Sequence, residues 1–129
     1  MFTILLAEDQ AICREPLAKL LRYEGFEVVT ATTGLETLQI LHDRPIDLLI
    51  LDLILPQLSR LAALEKIRAE DRLRELPVIV VTGVMDSTQI AQVIVDYNAK
   101  EVFSKMRFSL EELIKVIRES LPQNAVLEG

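Results

Sequence analysis

Cysteine occurs once in the 129 residues, at Cys13, which excludes an internal disulfide and fits a reducing compartment. Histidine also occurs once. His42 lies between Leu41 and Asp43 with no second imidazole to join it, so it is assigned no catalytic or metal role. Glycine is scarce: the chain has four, and no Gly-rich stretch follows the first apolar run, which argues against a loop that cradles a nucleotide or flavin phosphate. No uninterrupted apolar run approaches a membrane span, and the opening Met1 to Ala7 meets Glu8 and Asp9 too soon for a signal peptide. These absences predict a soluble, cytoplasmic protein with no membrane contact. Basic side chains are outnumbered, 14 against 20 acidic, and the net charge of −6 leaves no electrostatic basis for direct binding of nucleic acid.

Half of the residues are hydrophobic, enough for one core and too few for two. Short apolar runs alternate with amphipathic segments, with no internal repeat and no low-complexity linker, which is the pattern of a parallel α/β sheet. The strands predicted are Ile4 to Ala7, Val28 to Ala31, Asp47 to Leu51, Val78 to Thr82 and Val102 to Ser104. A first helix carries Leu17, Leu20 and Leu21 on one face and stops at Gly25; Pro16 inside it removes a backbone hydrogen bond, so a kink or a late start is expected. Capping-box patterns open the second helix, Thr33-Gly-Leu-Glu36, and the fifth, Ser109-Leu-Glu-Glu112, while Asp86 is placed to cap the fourth. Leu61, Leu64 and Ile67 form the buried stripe of the third. On the fourth, Ile90, Val93, Ile94, Val95 and Tyr97 cover more of the circumference than one buried stripe needs, so part of that surface is expected to meet a partner.

The most informative residue is Asp52. It stands inside the most apolar stretch of the chain, from Ile46 to Pro56, where an unpaired carboxylate is costly to bury. A parallel strand ending at Leu51 delivers it to the carboxyl edge of the sheet, where open α/β sheets bind ligands. Glu8 and Asp9 follow the first strand, Thr82 ends the fourth and Lys105 follows the fifth, so a parallel sheet brings all five to that edge. Carboxylates about 4 Å apart repel by roughly 4 kcal/mol per pair at an effective dielectric of 20, so such a cluster calls for a cation. Mg²⁺, a hard octahedral ion that takes carboxylate, carbonyl and water oxygens and leaves room for phosphate, is the natural one.

These five residues, in register with the βα alternation and with Pro56 four residues after Asp52, resemble the receiver domain of two-component response regulators over residues 2–121. The resemblance implies a single doubly wound flavodoxin-like domain, a five-stranded parallel sheet of order 2-1-3-4-5 with five helices. It implies phosphoryl transfer to Asp52 from a sensor histidine kinase or phosphotransfer protein, in a domain that catalyses only its own phosphorylation and dephosphorylation and is no turnover enzyme. Glu8, Asp9, Asp52 and the backbone carbonyl of Ile54 would hold Mg²⁺, and Thr82 and Lys105 would contact the phosphoryl group. A homodimer or an output partner would use the face from the fourth to the fifth helix. Residues 1–121 are read as the receiver and 122–129 as a tail, linker start or expression remnant.

The chain departs from the family pattern on the output side. Ser59-Arg60 stand where Asp-Gly is usual, so the turn before the third helix must be built otherwise. Val102 replaces the usual Tyr or Phe, and Met106 replaces the usual proline, so the bond after Lys105 is expected to be trans. Tyr97 is not assigned the aromatic switch role. Two other classes were weighed: a degenerate receiver acting as a phosphate-independent protein-binding module, and a flavodoxin-like cofactor domain or small enzyme. Intact Asp52, Thr82 and Lys105 oppose the first, and the missing Gly-rich loop opposes the second.

Overall fold

Five apolar runs pair in parallel in the computed structural model, which describes residues 1–57, 61–83, 86–105 and 107–121. In chain order the elements are β1 (Thr3–Ala7), α1 (Ala11–Tyr23), β2 (Glu27–Ala31), α2 (Gly34–Asp43), β3 (Leu48–Leu51), α3 (Ala62–Ala69), a single 3₁₀ turn (Asp71–Leu73), β4 (Val78–Thr82), α4 (Ser87–Tyr97), β5 (Glu101–Ser104) and α5 (Leu110–Ser120). The strand order is β2-β1-β3-β4-β5, as the resemblance implies. All four pairings are parallel, with Ala7 opposite both Ala31 and Leu51, and Thr82 opposite Ser104.

The central strands are apolar on both faces because both faces are covered. Leu5, Leu49, Leu51, Val78 and Val80 meet Leu64 and Ile67 of α3 and Val93 of α4 on one side. Ile4, Leu6, Leu48, Ile50 and Ile79 meet Leu21 of α1 and Leu113 and Ile117 of α5 on the other. Leu64 and Ile67 are fully buried as expected, and Leu61, just outside α3, packs against the same cluster. The regular ladder of β3 begins at Leu48, one residue later than expected; at Asp47 the backbone amide still bonds to Thr3 O at 2.9 Å, and the carboxylate accepts the amide of Thr3 at 2.7 Å.

Helix ends follow local chemistry. Gly25 takes φ +99° after α1, its amide bonding to the carbonyl of Arg22 and that of Phe26 to Leu21, a Schellman closure that needs a residue at ease in the left-handed region. α1 runs unbroken through Pro16, so the late start is not what forms; the carbonyl of Ile12, which loses its partner, belongs to a largely exposed residue. In α2, Thr33 caps the amide of Glu36, but the Glu36 carboxylate accepts from Thr32, one residue before the cap, so the box is only half formed. Ser109 caps α5 through the amide of Glu112.

The complete box belongs to α4: Asp86 accepts the amide of Gln89 at 2.8 Å and the Gln89 side chain accepts that of Asp86 at 3.1 Å. Asp86→Ala is expected to lower stability by about 1 kcal/mol in urea unfolding, the usual worth of an N-cap; an unchanged midpoint would show that the cap is idle. Only Val93 of α4 is fully buried, Ile90 and Tyr97 are half-buried, and Ile94 and Val95 are exposed, the latter at 76%. The apolar circumference of α4 thus exceeds what the core uses. The expected turn at Ser59-Arg60, the trans bond to Met106 and the tail at 122–129 lie outside the described residues. Just before that turn, Gln57 adopts a left-handed φ of 72°.

Candidate functional site

Three of the site residues are held by a backbone bond that continues the sheet one step past the strand. The amide of Glu8 bonds to Ala31 O, that of Asp52 to Ala7 O and that of Lys105 to Thr82 O, at 2.9, 3.0 and 3.0 Å. Parallel pairing therefore fixes the three side chains at one edge, with Thr82 between them as the last residue of β4. Glu8, Asp52 and Thr82 are buried, Asp9 is exposed, and the Lys105 side chain is 17% exposed.

Lys105 closes the cluster. Its Nζ stands 2.6 Å from Glu8 Oε1 and 2.6 Å from Asp52 Oδ2. The other Asp52 oxygen, Oδ1, accepts from the amide of Ile54 at 3.0 Å and from the hydroxyl of Thr82 at 3.2 Å. Glu8 Oε2 accepts from the amide of Gln10 at 3.1 Å. Both buried carboxylates thus have a charged and a neutral donor, which satisfies their lone pairs where water is excluded. Burial pushes Glu8 above the ordinary carboxylate range against the pull of Lys105 and Gln10. Burial alone would lower Lys105, but its bonds to Asp52 and Glu8 outweigh it and hold the ammonium well above the ordinary lysine range. A lysine raised in the fold contributes stability that is complete below its unfolded value and lost only as pH climbs through the raised one.

Ligand oxygens of Glu8, Asp9 and Asp52 lie within 4.8 Å of one another, a spacing and donor set suited to a hard divalent cation. The five sequence-predicted side chains do come together. Ile54 contributes its amide to Asp52, and its side chain is half exposed. Val102 is half-buried and packs with Tyr97 against the cluster that contains Val93. One contributor was not anticipated: Arg14 of α1 reaches back to the carbonyls of Glu8 and Asp9. Its spacing from Asp9 is the only trace in the sequence, and arginines one turn into a helix are too common for that to be a signal.

A doubly wound sheet carrying an acidic cluster, a threonine and a lysine at its carboxyl edge defines a signalling-type flavodoxin-like domain. A family model described as the response regulator receiver domain matches residues 4–118, and the chain belongs to that family. It is thus a receiver domain of two-component signal transduction, a class that interacts with histidine kinases or phosphotransfer proteins. It is 36% identical over 125 residues to response regulator RR06 of Streptococcus pneumoniae, covering 97% of this chain and 55% of that protein. It is equally 36% identical over 121 residues to the sensory transduction protein RegX3 of Mycobacterium tuberculosis, covering 94% and 51%. The chain spans about half the length of these curated relatives. The response regulator TrrA of Thermotoga maritima, solved in complex with Mg²⁺-BeF, superposes with a TM-score of 0.80 at 30% identity, covering 94% of this chain and all of that one. No helix among the described residues is long and apolar enough to cross a membrane.

Proposed function

We propose that Asp52 accepts a phosphoryl group from a sensor histidine kinase or phosphotransfer protein, and that the resulting acyl phosphate switches a protein-interaction surface. The observation that carries this reading is the Asp52 carboxylate: buried at the carboxyl edge, oriented by Ile54 and Thr82, and faced by Lys105. An Asp52 oxygen attacks phosphorus, the new O–P bond forms as the P–N bond of a phosphohistidine breaks, and the imidazole leaves. Negative charge spreads over the equatorial oxygens as this happens, so positioning and fixed positive charge do most of the work. Lys105 supplies such a charge already in place, and the Thr82 hydroxyl is a donor for another phosphoryl oxygen. Bound by Glu8, Asp9, Asp52 and the carbonyl of Ile54, Mg²⁺ would neutralise charge on the transferred group. In this reading the domain catalyses its own phosphorylation and dephosphorylation and is no turnover enzyme.

Incubation with a small phosphodonor and Mg²⁺, followed by intact mass, tests this directly: one phosphoryl group is expected, and none in EDTA. A folded protein that gains the group equally well in EDTA would remove Mg²⁺ from the account. No gain from either a small donor or a histidine kinase would instead favour a phosphate-independent binding module.

Residues 1–121 form the receiver unit in this reading. The exposed Ile94 and Val95 of α4 support a homodimer or output-partner surface on the face from α4 to α5. Val95→Asp is expected to leave the unfolding midpoint near that of the parent and to abolish any phosphorylation-dependent rise in sedimentation mass. A variant that still associates on phosphorylation would move the surface elsewhere.

A further inference from the structure

The loop from Glu8 to Gln10 carries two of the three clustered carboxylates, and the start of α1 that follows it is poorly capped. Gln10, at the N-cap, caps no backbone amide of the helix with its side chain, which accepts only from the Cys13 thiol, and the first turn holds no acidic residue. The loop is held from the other direction. Arg14 Nη1 donates to Glu8 O at 3.0 Å and to Asp9 O at 3.2 Å, while the Arg14 amide bonds to Gln10 O at 2.9 Å and the Gln10 amide to Glu8 Oε2 at 3.1 Å. The guanidinium is anchored on its far side by Glu15 at 3.4 Å, and the side chain is only 14% exposed.

We infer that Arg14 is a positioning residue for the cation site: it fixes the two carbonyls so that the Glu8 and Asp9 carboxylates stay within reach of Asp52 despite their mutual repulsion. This rests on the reading of Glu8, Asp9 and Asp52 as metal ligands. A positive charge near a cation site would by itself weaken cation binding, whereas a clamp on the ligand-bearing backbone strengthens it, so the two roles have opposite signs. Groups that orient metal ligands are commonly worth ten- to a hundredfold in affinity.

The experiment is calorimetric titration of Mg²⁺ into the wild-type chain, Arg14→Gln and Arg14→Lys, with phosphorylation rates from a small donor measured against Mg²⁺ concentration. Arg14→Gln is expected to weaken Mg²⁺ binding by about tenfold. The Mg²⁺ concentration for half-maximal rate should shift by the same factor while the rate at saturating Mg²⁺ stays close to wild type. Arg14→Lys, with an ammonium in place of the fork, should fall between the two. An unchanged affinity in Arg14→Gln would overturn the role, and a tighter one would replace it with simple charge repulsion. Should Arg14→Gln not fold, Arg14→Lys decides: weaker binding than wild type supports the clamp, and equal binding overturns it. No Mg²⁺ binding by the wild-type chain would remove the proposed function, and this role with it.

Discussion

Asp52→Asn is expected to abolish phosphoryl uptake from both a small donor and a histidine kinase while leaving the chain folded. The change removes the attacking oxygen's negative charge, and no neighbouring carboxylate among the described residues is placed to substitute. Glu8 is committed to Lys105 and the amide of Gln10, and Asp9 is exposed at the outer side of the cluster. The fold should tolerate the substitution, because an asparagine carbonyl can still accept from Ile54 and Thr82, and Lys105 keeps Glu8 as its partner. Intact mass and urea unfolding on the same preparation read both halves of this expectation. A folded Asp52→Asn protein that still gains a phosphoryl group would show that another residue is the acceptor.

The largest stability effect is expected at Arg68, far from the acidic cluster. Its guanidinium leaves the last turn of α3 and donates Nε to Tyr97 O at 2.7 Å, Nη2 to Asn98 O at 3.3 Å, and Nη1 to the carbonyls of Leu73, Arg74 and Leu76 at 3.0, 3.0 and 2.8 Å. One half-buried cation thus closes the C-terminal end of α4 and the segment leading into β4, where Asn98 sits in the left-handed region at φ 56°. A charged donor to backbone carbonyls is worth roughly 1.5–3 kcal/mol per bond where solvent is excluded, and several here are partly solvated. Arg68→Met should therefore cost about 3 kcal/mol, with Arg68→Lys recovering part of it. Urea unfolding measures this, and a loss under about 1 kcal/mol, the worth of one ordinary hydrogen bond, would mean that water replaces the guanidinium without penalty.

The sheet and the gathering of the site's side chains at one edge were legible in the sequence because period and position are local facts. A short apolar run such as Leu48 to Leu51, bounded by Pro45 and Pro56, reads as a strand covered on both faces, and parallel pairing then brings Glu8, Asp52, Thr82 and Lys105 to one edge. What could not be read was how they divide the work. Glu8 is buried while its amide still bonds to Ala31 O at the sheet edge, Asp9 just beyond it is exposed, and the Lys105 bridge across two strand ends is a matter of ångströms. Arg68 contacts residues 29 and 30 positions away, so nothing in its local sequence announces it. The half-formed box at Glu36 shows the opposite case: a local pattern was present, but the neighbouring Thr32 amide and hydroxyl drew the carboxylate one residue upstream.

The central claim is that Asp52 itself carries the phosphoryl group. An acyl phosphate is cleaved by borohydride to an alcohol, which marks the modified aspartate as homoserine in a peptide mass spectrum. After phosphorylation in Mg²⁺ and borohydride treatment, homoserine is expected at position 52 and at no other acidic residue. Homoserine at position 8 or 9, or none in a chain whose intact mass shows a phosphoryl group, would contradict the account.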